Sequence, residues 1–244
     1  MLYDLDQAGQ GDVAFGTTVS LSEDRPARRY RPLHYGANLT GWLEFTLTFG
    51  AQEYGLDRFD LEAVAAWLTG HQDYRWLTID QDDLEPVRYR CIIRELRPVT
   101  VAGLPVAFTA TVQCDGPYAY AYPREESFLL AGRTDLLLRC DSAHNGYYFP
   151  RLKLELDGVS NQFSMVNHAD GDREFLLSGL PAGVPLTLEA DCENCILQET
   201  GQGHNPYEWF NFKFFRMVRG DNPVTVTGDG RLTLQYEFPR NVGA

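Results

Sequence analysis

The 244-residue sequence carries 34 acidic against 21 basic residues, a formal net charge of -13. That balance argues against a sequence-independent nucleic-acid binder, which needs a cationic surface to displace counterions from phosphates, and against docking on an anionic membrane. Aromatic residues at 13%, with aliphatic residues spread along the chain, supply core material for a folded protein of two ordinary domains.

The start, Met1-Leu2-Tyr3-Asp4-Leu5-Asp6, has neither a basic nor an apolar region and reads as no signal peptide. The longest apolar runs, such as Leu136-Leu137-Leu138, are too short to span a bilayer. The expectation is a soluble chain made without classical export. Five cysteines at irregular spacing (91, 114, 140, 192 and 195) do not read as a disulfide framework.

Thr18–Leu21 is strand-like. After it, Ser22 to Pro32 is the basic concentration of an acidic chain, with Arg25, Arg28, Arg29, Tyr30 and Arg31. It is either a solvated loop or an arm that pairs with an acidic surface on a neighbouring copy. Phe45, Leu47 and Phe49 then alternate with threonines, one face for a core and one for water. From Asp57 to Thr69 the period changes: Leu61, Val64, Ala65 and Leu68 form one stripe of an amphipathic helix, with Asp57 or Asp60 to cap it and Gly70 to stop it. Trp76–Ile79 precedes an acidic turn, Asp80–Glu85, that lacks the glycine and terminal glutamate of a calcium loop. Val106 to Cys114 alternates again.

A turn-rich stretch, Asp115 to Pro123, followed by charged Arg124-Glu125-Glu126 places a boundary near residues 122–128. The expected domains are 1–126 and 127–244. In the second, Leu152, Leu154 and Leu156 and later Leu232, Leu234, Tyr236 and Phe238 alternate with polar residues. Asp157-Gly158, Asp170-Gly171 and Asp229-Gly230 read as hairpin turns. Phe210, Phe212 and Phe214 read as one face of an aromatic strand packed into the core.

Strong catalytic signatures are missing: no Walker loop, no HExxH, no GxSxG. The five histidines lack ligand spacing. Cys192-Glu193-Asn194-Cys195 has no second pair to complete a zinc site and reads as a hairpin turn with two incidental thiols. No catalytic, metal or cofactor residue is assigned. Trp209 is a candidate sugar-stacking platform. His144-Asn145 and His204-Asn205 echo part of a galectin sugar site but lack its arginine in register.

Three stretches together resemble the distal tail protein (Dit) family of long-tailed bacteriophages. They are Phe45 to Gly70; Tyr89 to Pro123, with its Thr111-Val112-Gln113-Cys114-Asp115-Gly116-Pro117-Tyr118-Ala119 close; and Met217 to Gly228 with Leu232 to Arg240. Pro150-Arg151-Leu152-Lys153-Leu154 and Met165-Val166-Asn167 also fit. The resemblance implies a mainly β fold of two β-sandwich domains, the first with a short α-helix and a protruding belt hairpin, the second galectin-like. It implies a homo-hexameric ring at the virion tail tip, assembled in the host cytoplasm, that joins the tail tube protein to the tail-tip hub. Tape-measure and receptor-binding proteins would be further partners. The belt would fall at residues 22–44, which makes Arg25, Arg28, Arg29, Tyr30 and Arg31 candidate oligomer-interface residues. The alternative is a carbohydrate-binding module for host cell-surface glycans; a glycoside hydrolase is motivated only by abundant carboxylates.

Overall fold

The computed structural model describes residues 16–24, 33–50, 56–79 and 87–242. It divides into two compact units, one of residues up to Ala121 plus the chain end from Arg240, the other Tyr122–Pro239.

The first unit is a seven-stranded sheet. Strand β1 (Gly16–Asp24) pairs antiparallel with β2 (Leu33–Gly50), which pairs with β5 (Leu104–Cys114). Strand β4 (Val87–Val101) lies between β5 and the short β3 (Arg75–Thr78). The β4–β5 hairpin turns through Ala102 and Gly103, both at positive φ (50° and 83°), the two-residue turn whose twist suits a hairpin. Cys91 opposes Cys114, but Arg88 opposes Tyr120 in β6 (Ala119–Ala121). The ladder therefore loops out three extra residues at the Asp-Gly-Pro-Tyr close, where Asp115 N–H bonds the Arg90 carbonyl at 2.9 Å. Strand β14 (Pro239–Arg240) completes the sheet. The core is Leu43, Phe45, Val87, Tyr89, Cys91, Val112, Cys114 and Ala119, with Val242 of the chain end against it.

Helix α1 (Arg58–Thr69) forms where the sequence period predicts it. Asp57 accepts from Asp60 N–H at 2.8 Å while Asp60 accepts from Asp57 N–H at 3.1 Å, a reciprocal capping box. Gly70 caps its end, its N–H bonding the Ala66 carbonyl at 3.0 Å, and a Cβ there would stand 2.3 Å from that oxygen.

The second unit is a sandwich hung on one long ribbon. Strand β7 (Arg124–Cys140) pairs with β13 (Gly220–Tyr236) along all 17 residues without a register shift. The other edge of β13 serves two leaves. Val224–Thr227 pairs with β9 (Gln162–Asn167) and thence β10 (Arg173–Ser178); Gly230–Gln235 pairs with β8 (Arg151–Leu156), then β11 (Leu186–Asp191) and β12 (Ile196–Glu199). Alternate side chains of both leaves close the core: Leu152, Leu154, Phe163, Met165, Phe175, Leu177, Leu188, Val226, Leu232 and Leu234, each at most 2% exposed.

Asp229-Gly230 is accordingly no hairpin turn. β13 runs through it and bends, because glycines at 228 and 230 (φ 149° and 130°) let the strand leave one leaf for the other. Asp229 fixes the bend by accepting from Gly132 N–H at 2.9 Å and from the Ser160 hydroxyl. The aromatic run is not a strand either. Phe210 and Phe214 are buried, but Phe212, at φ 60°, is 66% exposed.

Candidate assembly surfaces

The Arg25, Arg28, Arg29, Tyr30 and Arg31 set lies outside the described residues, between Asp24 of β1 and Leu33 of β2. So does the acidic turn at 80–85.

In the first unit the exposed apolar groups are conspicuous by size. Trp42 is 53% exposed, Phe59 77%, Val101 60% and Leu104 66%. Helix α1 buries only Val64; Leu61, Ala65 and Leu68 are half-buried. Trp76, 46% exposed, has the Arg88 guanidinium 3.9 Å from its ring centroid and Tyr120 edge-on to it. The buried thiols of Cys91 and Cys114 face each other across the β4–β5 ladder. Burial, with the charge of Asp115 adding to it, pushes both up to about 12.

In the second unit the Asn motifs are structural. Asn222, fully buried, donates to the carbonyls of Val218 (2.8 Å) and Gly220 (2.9 Å). Its Oδ1 accepts from Val218 N–H (2.9 Å) and from Asn167 Nδ2 (3.0 Å). Asn167 in turn donates to the Arg216 carbonyl and accepts from Ala169 N–H. Arg216 lies 3.5 Å over the Tyr147 ring and bonds Asp170 at 2.6 Å. This knot ties the entry to β13 to the end of β9.

The sandwich's edges are treated unequally. Along β10, Asn211 Nδ2 donates to the Glu174 carbonyl, Asn211 N–H to the Leu176 carbonyl, and Ser178 N–H to the Trp209 carbonyl. At β12, Leu197 N–H is taken by the Tyr207 hydroxyl. The segment 205–214 thus lines the β10 edge and reaches the β12 edge through Tyr207. This is why its aromatics alternate irregularly: the backbone follows strand edges, not a ladder of its own.

Trp209 is half-buried against His204, ring centroids 5.7 Å apart. Glu199 gathers the loop before it, accepting from Gln202 N–H at 3.0 Å and His204 N–H at 3.1 Å. The Gln202 bond first, then those of His204 and Gly203, hold its carboxyl below the usual range. Cys192 and Cys195 sit in the β11–β12 turn as expected, Cys192 buried and Cys195 exposed, both free. Here Asp191 accepts from Asn194 through both oxygens.

Two arrangements bear on chemistry. A furrow of about 300 Å³ on the polar face of β8, β11 and β12 is lined by Arg151, Lys153, Glu189, Asp191, Gln198 and Gln235, with no aromatic ring. Asp172, His168 and Thr225 stand in a chain of bonds at 2.6 and 2.9 Å that mimics a catalytic triad. Thr225, however, spends its proton on Asp135 at 2.7 Å. With its proton directed to Asp135, the threonine hydroxyl does not offer it to His168. Among the described residues no group of three or more His, Cys, Asp and Glu could hold a metal ion.

The described residues thus form two β units, the first with a capped helix and large exposed apolar side chains. The sequence profile described as phage tail protein N-terminal domain matches residues 1–116, and that described as phage tail C-terminal domain matches 118–236. The chain therefore belongs to this phage tail protein family. Its fold is that of the SPP1 Dit protein (gp 19.1), described as a paradigm of the hub adsorption apparatus in phages infecting Gram-positive bacteria. The TM-score is 0.61 at 12% identity, over 91% of this chain and 89% of that one. A chain of the phage P2 baseplate in its activated conformation with Ca gives 0.50 at 9% identity, over 95% of this chain and 92% of that one. Among curated proteins none matches. The resemblance to the distal tail family drawn from the sequence is borne out.

Proposed function

We propose that this chain is a distal tail protein acting as a non-catalytic adaptor, six copies of which form a ring joining the tail tube to the tail-tip hub. The observation that carries the reading is the set of large exposed apolar side chains in the first unit: Phe59 on a helix that buries one residue, and, elsewhere on the unit, Trp42, Val101 and Leu104. Exposed large apolar groups of this kind mark contacts between proteins, and closed symmetry multiplies weak contacts into a stable ring. Arg25, Arg28, Arg29, Tyr30 and Arg31 would carry the belt onto acidic neighbours, and the net charge of -13 would help a lumen that passes DNA to repel it. Domains 1–126 and 127–244 would divide the work: ring formation in the first, attachment of receptor-binding components in the second. Assembly would occur in the host cytoplasm.

Electron cryo-microscopy of whole virions tests this. A sixfold ring at the tail tip, with Phe59 and Trp42 buried between copies, is expected. A single copy, another symmetry, or those residues facing solvent would overturn it. Glycan binding by the furrow is the second reading, favoured by its Arg, Lys, Glu, Asp and Gln lining; failure of host cell-wall sugars to bind would remove it.

A further inference from the structure

The second unit leaves one strand edge bare. The chain's own 205–214 segment lines the β10 edge and reaches β12 through the Tyr207 hydroxyl. Among the described residues β7 pairs only with β13, so its outer edge presents about eight free N–H and eight free C=O groups along some 55 Å. Natural edges are blunted by prolines, bulges, charged side chains or brevity. Residues 124–140 contain no proline, pair over 17 residues without a register shift, follow the bend of β13 at Gly132 (φ 71°), and carry charges of both signs. The outward face also carries two apolar side chains, Leu129 (75% exposed) and Leu137 (69%).

We infer that this edge pairs with the β7 of a second copy, antiparallel, about a twofold axis at Arg133. The strand's side-chain pattern is complementary to itself in that register. Leu129 stands opposite Leu137 of the other copy, and Leu137 opposite its Leu129. Directly opposed residues on antiparallel strands approach to about 5 Å, and diagonal ones to about 7 Å. Arg139 then falls diagonal to Glu125 of the second copy. Arg133 falls diagonal to the second copy's Asp135, and Asp135 already holds Arg133 within its own chain at 3.5 Å. The axis thus carries an alternating quartet of two arginines and two aspartates, not two bare cations. On the inward face, half-buried Phe128 and Leu136 meet Leu138 and Leu130 of the second copy and continue the core across the seam. Among the described residues the terminal strands of the first unit's sheet are shorter: β1 is nine residues from Gly16 to Asp24, β3 four and β14 two.

The inference does not need the ring. Neighbours around a sixfold axis are not related by a twofold, so this contact joins free chains, or two rings, in addition to any ring contact.

Single cysteines in the full chain, on a Cys195→Ser background, test the register. Arg133→Cys lies across from itself and should form an intermolecular disulfide about tenfold faster than Leu137→Cys, whose own counterpart is eight residues away. Mixing Leu129→Cys with Leu137→Cys should give the mixed dimer. Sedimentation should show the wild-type dimer losing affinity with Leu137→Lys while the melting temperature holds. A chain that stays monomeric at every concentration, or an Arg133→Cys that cross-links no faster than Leu137→Cys, overturns the proposal. The symmetry of the tail ring is read separately, from virions, so either idea can fail alone.

Discussion

Replacing Asn222 by alanine removes four hydrogen bonds from a side chain with 0% exposure. The Val218 N–H and C=O, the Gly220 carbonyl and the Asn167 amide each lose a partner. A buried polar group left unsatisfied costs about 1–3 kcal/mol, and partial entry of water returns some of it. A loss of about 3–5 kcal/mol is expected for the second unit. Asn222→Asp should be no better. It keeps the acceptors but loses both donations and buries a charge. Urea unfolding followed by tryptophan fluorescence reads the effect, since Trp209 lies in this unit. The midpoint should fall by about 2 M with an unchanged slope. A loss below about 1 kcal/mol would refute the account of this knot as the tie between β9 and β13.

The corner glycines should rank by what a Cβ would meet. Gly230→Ala places it 2.1 Å from the Glu155 carbonyl oxygen, on a paired strand that cannot retreat, whereas Gly132→Ala meets nothing within 4 Å. The first should cost about 3 kcal/mol or more and the second about 1–2 from its backbone angle alone; equal losses in thermal unfolding would contradict the bend geometry. Of the five thiols only exposed Cys195 should react promptly with a thiol reagent at pH 8, all five after denaturation; fast labelling of Cys91 or Cys114, held near 12 by burial, would count against the packing of the β4–β5 ladder. Glu199's carboxyl is held below its ordinary value, so the order it gives the 199–204 loop is complete above the ordinary glutamate range and lost as pH falls through the lowered one. Protection factors of the Gln202 and His204 amides should hold at neutral pH and fall as the Glu199 carboxyl protonates below the ordinary glutamate range, and Glu199→Gln should lower them at neutral pH. Protection unaffected by that change would show the loop is held by something else.

Much of the architecture was legible in the chain. The stripe of Leu61, Val64, Ala65 and Leu68 with Asp57 ahead and Gly70 behind specifies α1, because period, cap and stop are local properties. Val106 to Cys114 and Leu152 to Leu156 specify their strands and buried faces for the same reason. The lack of a catalytic motif was equally plain to read. What the resemblance motifs do was not: the Asn of Met165-Val166-Asn167 and that of Gly220-Asp221-Asn222 are 55 residues apart and meet only in the folded unit.

Asp229-Gly230 shows where local reading stops. Its chemistry suits a tight turn as well as a bend in a long strand, and the choice is made by β8 and β9, which compete for one edge of β13. The 209–214 segment was misread for a related reason, since its aromatics answer to the edge of β10, distant in sequence. By itself the sequence determined most element types and the helix with its caps, which depend on neighbours in the chain. The tertiary structure alone decided which edges are covered and which is bare, because an edge is free or satisfied only by what long-range pairing brings to it.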